Sequence, residues 1–132
     1  METILPKKIN YKAVKVNKTS TIYQTDDLVN LRDTFLTEFV RVEKFQGFSN
    51  AYNLALYFRI KNESSWQKSK QVTGLWKTSL KNAFYGDYLS GMGKSLILFK
   101  MMPENEFMSV YVYPEGYYPS MPVIESLIKN NF

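Results

Sequence analysis

Residues 96–113 read Leu96-Ile97-Leu98-Phe99-Lys100-Met101-Met102-Pro103-Glu104-Asn105-Glu106-Phe107-Met108-Ser109-Val110-Tyr111-Val112-Tyr113. Two extended runs, Leu96 to Met101 and Phe107 to Tyr113, are joined by a five-residue connection, Met102 to Glu106, of the kind that closes a β-hairpin. Apolar or aromatic residues stand at odd and even positions alike, so neither face of these strands suits water. Such strands belong in the middle of a sheet, covered by a helix on one side and by other chain on the other.

Toward the C-terminus, Pro114 and Gly116 end the hairpin. Ser120 and Pro122 open a last helix of about ten residues bearing Val123, Leu127 and Ile128. Toward the N-terminus, Tyr88 to Lys94 contains two glycines and reads as a turn, while Ser79 to Tyr88 is divided between short helix and loop. Val72 to Thr78 reads as a strand with Gly74 at a bulge and Trp76 beside Lys77. Residues 62–71 form a polar loop around Trp66.

Tyr52 to Ile60 alternates with a period of two. Leu54, Leu56, Phe58 and Ile60 fall on a core face, and Asn53, Ala55, Tyr57 and Arg59 on a wet one. Farther upstream, Leu28, Leu31, Phe35, Phe39 and Val42 recur at spacings of three and four. With Thr25 or Asp26 as N-cap and Gly47 as a stop, this predicts a helix over about 26–45. Residues 9–16 and 20–23 read as strands, the first lysine-rich in the manner of a sheet edge. The expected class is α+β. Residues 1–132 form a single domain in which an antiparallel sheet of about five or six strands packs on one long amphipathic helix, with a short C-terminal helix.

The chain has 132 residues, and neither Cys nor His occurs in it. That removes disulfides, thiolate zinc sites, thiol nucleophiles, histidine bases and imidazole metal ligands together. Other arrangements that resemble chemistry have structural explanations. Gly91-Met92-Gly93-Lys94-Ser95 resembles the end of a phosphate-binding loop, but Tyr88 stands where the pattern needs its first glycine and a strand follows where it needs a helix. Asp26 and Asp27 suit the start of a helix. Glu104 and Glu106 lie at a loop tip, where no burial would separate their acidities. No cofactor or metal is expected, and the chain does not read as an enzyme. A metal-free ribonuclease of the small toxin kind, built on Lys, Tyr and Glu, is a secondary alternative for which no spacing marks a site.

Binding residues are easier to find. The net charge of +5 is uneven, with +4 over residues 1–25, −1 over 26–63, +5 over 64–100 and −3 over 101–132. Such polarity favours an anionic or acidic partner. Lysine supplies 14 of the 17 basic residues; Arg32, Arg41 and Arg59 are the only arginines. The wet face of the 52–60 strand, extended by Lys61, sets Tyr57 beside the cations Arg59 and Lys61. Trp66 and Trp76 bracket Lys68 and Lys70, with Lys77 and Lys81 following. A tryptophan in a polar loop suits a binding hot spot, which makes Trp66 the first candidate anchor and Trp76, in a strand, more a core residue; Tyr57, Arg59, Lys61, Trp66, Lys68, Lys70, Trp76, Lys77 and Lys81 are the expected partner-binding residues.

In size, composition and want of catalytic groups, the chain is similar to small phage or mobile-element proteins that inhibit host defence by binding, such as anti-CRISPR proteins. The likeness is one of composition and names no relative. It implies a non-enzymatic binding protein that occupies a surface of a host protein or nucleoprotein. The alternative is a module that binds RNA or DNA directly through the same residues. The N-terminus is too polar for a secretory signal and no stretch approaches a membrane span, so a cytoplasmic protein is expected.

Overall fold

The computed structural model describes residues 4–18, 20–32, 34–44, 54–59, 65–68, 75–80, 82–91, 93–101 and 106–131, of which 44, 54–59, 68, 77, 90 and 131 are described by their backbone only. The elements are β1 (Lys7–Val16), β2 (Ser20–Gln24), α1 (Leu28–Leu31), β3 (Phe39–Lys44), β4 (Leu54–Arg59), β5 (Gln67–Lys68), β6 (Trp76–Lys77), β7 (Ala83–Ser90), β8 (Gly93–Met101), β9 (Phe107–Val112) and α2 (Met121–Asn131). All strands join one antiparallel sheet in the order β5-β4-β3-β2-β1-β9-β8-β7-β6. Each neighbour is next in sequence except at the β1–β9 seam.

This order requires curvature. A flat sheet would hold β5 and β6 about 38 Å apart, eight spacings of ~4.8 Å. Only eight Cα steps link Lys68 to Trp76, a reach of at most about 29 Å. The sheet therefore curls and brings its edges inward. One core fills the concave side: Ile9 and Tyr11 of β1, Tyr23 of β2, Val40 and Val42 of β3, Leu75, Tyr88, and Ile97, Phe99, Met108 and Val110 of the central hairpin. A second core lies outside the hairpin, where Leu96, Leu98, Tyr111 and Tyr113 meet Ile124 and Ile128 of α2.

The central hairpin is thus apolar on both faces because both are covered. Leu96, Ile97, Leu98 and Phe99 are fully buried, and each such side chain contributes roughly 1.5–3 kcal/mol of transfer free energy. In α2 the buried residues are Ile124 and Ile128, whereas Val123 faces solvent.

The long helix expected over 26–45 is not formed. Among the described residues of that range helix covers only Leu28–Leu31, capped by Asp27, whose Oδ1 accepts from the Asn30 backbone N–H at 3.2 Å. Two threonines then divert the backbone. Thr34 Oγ1 donates to the Leu31 carbonyl at 2.7 Å and accepts from the Leu36 N–H at 3.2 Å, and Thr37 Oγ1 donates to the Phe39 carbonyl at 2.6 Å. Such local bonds compete with the helical ladder. From Phe39 onward a period of two prevails, and β-branched Val40 and Val42 enter the core from strand β3. Leu31, Phe35 and Leu36 still reach the concave core, Phe35 by stacking on Tyr88 at 4.8 Å between centroids. The sheet curls around its own side chains and this short segment, where the sequence had implied a long helix.

Among the described residues the sheet has nine strands, where five or six were expected. β3 comes from the misread helix, β5 from the polar loop, and β7 from the segment divided between helix and loop. Gly74 and the rest of residues 69–74 lie outside the described residues, as do Ile60, Lys61 and the loop tip at Glu104. No described helix is long and apolar enough to cross a membrane.

Candidate functional site

Register sorts the β1–β4 half of the sheet into two faces. Phe58 of β4 stands opposite Val40, which stands opposite Tyr23, which stands opposite Ala13; Leu56, Val42, Thr21 and Val16 make the next such row. Val40, Val42, Tyr23 and Thr21 are buried, so these rows face the concave core. The intervening rows lie on the convex face. One runs Lys68–Tyr57–Arg41–Ile22–Lys15 and the next Arg59–Phe39–Gln24–Lys12–Phe107. Each crosses five strands, about 19 Å at the usual spacing.

Cations and aromatics alternate in both directions at one end of this face. Tyr57 is paired across strands with Arg41, and Arg59 with Phe39, while Tyr57–Arg59 and Phe39–Arg41 are same-face neighbours along their own strands. Each aromatic position therefore has a cationic position beside it along the strand and another across it. The Arg41 guanidinium carbon lies 5.3 Å from the centroid of the Trp66 ring, and its Nη2 lies 3.6 Å from Glu43 Oε1. Lys12 and Lys15 continue the positive charge onto β1, both exposed, and Phe107 adds an exposed ring at the far end. Along the same strand Lys8 is exposed, with its ammonium 5.6 Å from the centre of the Tyr111 ring.

The expected site residues are distributed as follows. Tyr57, Arg59, Trp66 and Lys68 belong to β4 and the β5 end of the sheet. Trp76 and Lys77 form β6 at the opposite end of the strand order, where Trp76 stacks on Tyr85 at 5.5 Å. The 64–81 segment is thus divided between two edges. Lys61, Lys70 and Lys81 lie outside the described residues. Arg41, Phe39, Lys12 and Lys15 complete the convex face and were not singled out by sequence. Phe39 and Arg41 were hidden in the misread helix, although the alternation of Phe39-Val40-Arg41-Val42-Glu43 carried the signal.

The groups resembling chemistry have structural work. Gly93 adopts φ +99° in the β7–β8 turn, and Lys94 Nζ lies 3.9 Å from Asp87 and 5.0 Å from the centre of the Tyr118 ring. Among the described residues no group of three carboxylates is placed to hold a metal ion. Burial pushes the phenols of Tyr23 and Tyr113 up to about 12 and raises that of Tyr11 as well. Tyr11 donates to the Thr37 carbonyl at 2.8 Å, and Tyr88 to the Tyr113 carbonyl. Tyr117 and Tyr118 pack against the cluster beneath α2.

Compared with protein families, curated proteins and solved structures, the chain has no match.

Proposed function

We propose that this chain is a non-enzymatic binding protein that presents the convex face of β1–β5 to an anionic partner. The supporting observation is the pair of cross-strand rows in which Lys12, Lys15, Arg41, Arg59 and Lys68 are interleaved with Tyr57 and Phe39. Glu43 is the acidic residue within those registers, opposite Ala55 and Ser20 at one end. Glu38 accepts from the Gln24 side chain at 3.1 Å beside the second row; a face on which cations outnumber carboxylates attracts polyanions and accelerates their encounter. The likeness in composition to small phage or mobile-element inhibitors fits this use: such a protein, acting in the cytoplasm, would occupy an anionic or nucleoprotein surface.

The test uses heparin as a generic polyanion and follows binding by calorimetry at physiological salt. The wild-type chain binds. The double charge reversal Lys12→Glu/Lys15→Glu weakens binding more than tenfold, whereas Lys129→Glu on α2 leaves it nearly unchanged. Equal affinities for all three proteins, or no binding at all, would overturn the proposal.

A further inference from the structure

We infer that the anion taken by the convex face is a single-stranded nucleic acid, its bases stacked on Phe39, Tyr57 and Trp66 and its phosphates neutralised by the cations between them. This rests on the binding-face reading above and adds the chemical class of the partner. The cations alone would suffice for an acidic polypeptide or for the backbone of a duplex. A duplex keeps its bases stacked within itself, and a run of carboxylates carries no ring, whereas every unpaired base offers a π-face. The face holds more than cations. Phe39 and Tyr57 occupy diagonal positions on adjacent strands, about 7–8 Å apart, and each is flanked by arginine along and across the sheet. Trp66, next to Gln67 of β5, carries the Arg41 guanidinium on its ring. Planar guanidinium and aromatic surfaces are the platforms on which unpaired bases stack.

The scarcity of arginine points the same way. The chain has 14 lysines and three arginines, and two of those three, Arg41 and Arg59, fall within this one patch of β3 and β4. Lysine neutralises phosphate as a point charge, but only arginine adds a stacking plane and a bidentate fork. The lysines flank the patch at Lys68 on one side and at Lys12 and Lys15 on the other, as expected for a backbone that enters and leaves across the strands.

The experiment titrates the full chain into a labelled 20-nucleotide oligo-dT, a 20-base-pair duplex and poly-glutamate, following fluorescence anisotropy at several salt concentrations. The oligo-dT binds more tightly than either other probe. Phe39→Ala and Tyr57→Ala each weaken it by roughly tenfold without altering the salt dependence. Arg59→Gln lowers the slope of log affinity against log salt by about 0.7, the loss of one single-strand phosphate contact. In a Trp76→Phe chain, where Trp66 is the sole tryptophan, oligo-dT quenches the emission; this readout stands even if an alanine variant fails to fold. Equal binding of oligo-dT and poly-glutamate, tighter binding of the duplex, or unquenched Trp66 would each overturn this inference while leaving the anionic face intact. Failure of every anion to bind would remove the face as well.

Discussion

Arg41 and Trp66 are joined across a strand to which neither belongs: the guanidinium carbon of Arg41, on β3, sits 5.3 Å from the ring centroid of Trp66 at the entrance to β5, with β4 between them. The contact ties the two-residue edge strand β5 to the body of the sheet, where backbone pairing alone is short.

That tie is measurable. Trp66→Ala and Arg41→Ala should each lower stability, and a double-mutant cycle by urea denaturation should return a coupling of about 0.5–1 kcal/mol.

Docking of α2 on the convex side of the hairpin rests on Ile124 and Ile128, both fully buried, and not on Val123, which is 41% exposed. Ile128→Ala should therefore cost about 2–5 kcal/mol in denaturant unfolding, and Val123→Ala about 0.5 kcal/mol or less.

Alkali should unfold the protein through its core tyrosines. Burial holds Tyr23 and Tyr113 at about 12 when folded, against about 10 when unfolded. A raised folded pKa means stability that is fully present below pH 10 and is lost as the pH climbs to 12, at up to roughly 1.4 kcal/mol per pH unit for each phenol. Tyr23→Phe and Tyr113→Phe should flatten this decline in urea melts between pH 9 and 12.

At neutral pH the tyrosines should divide differently. The Tyr113 hydroxyl is buried without a hydrogen-bond partner among the described residues, so Tyr113→Phe should be neutral or stabilising. Tyr11 donates to the Thr37 carbonyl at 2.8 Å, and Tyr11→Phe should cost about 1 kcal/mol by the same measurement.

The parts of the fold legible in the sequence are those where one pattern had no rival. The 96–113 hairpin carries apolar residues on both faces and is covered on both. The 54–59 alternation puts Leu56 and Phe58 in register with buried Val42 and Val40. The 26–45 segment failed because Leu28, Leu31, Phe35, Phe39 and Val42 satisfy a helical spacing by coincidence, while the hydroxyls of Thr34 and Thr37 and the branched Val40 and Val42 act against a helix. Half of the candidate face depends on that segment, since Arg41 and Phe39 come into register with Tyr57 and Arg59 only when β3 is a strand. Which lysines share a face also depends on register, which no local pattern discloses.

The β1–β9 seam has a kinetic meaning. β1 to β5 and β6 to β9 are two successions of neighbours that can zip locally, but the seam pairs Lys12 with Phe107 and Lys7 with Val112 across most of the chain. Loop closure on that scale is entropically costly and gains nothing until both halves have some shape. The first and last strands are then the final pieces to meet, and destabilising their junction should speed unfolding more than it slows refolding.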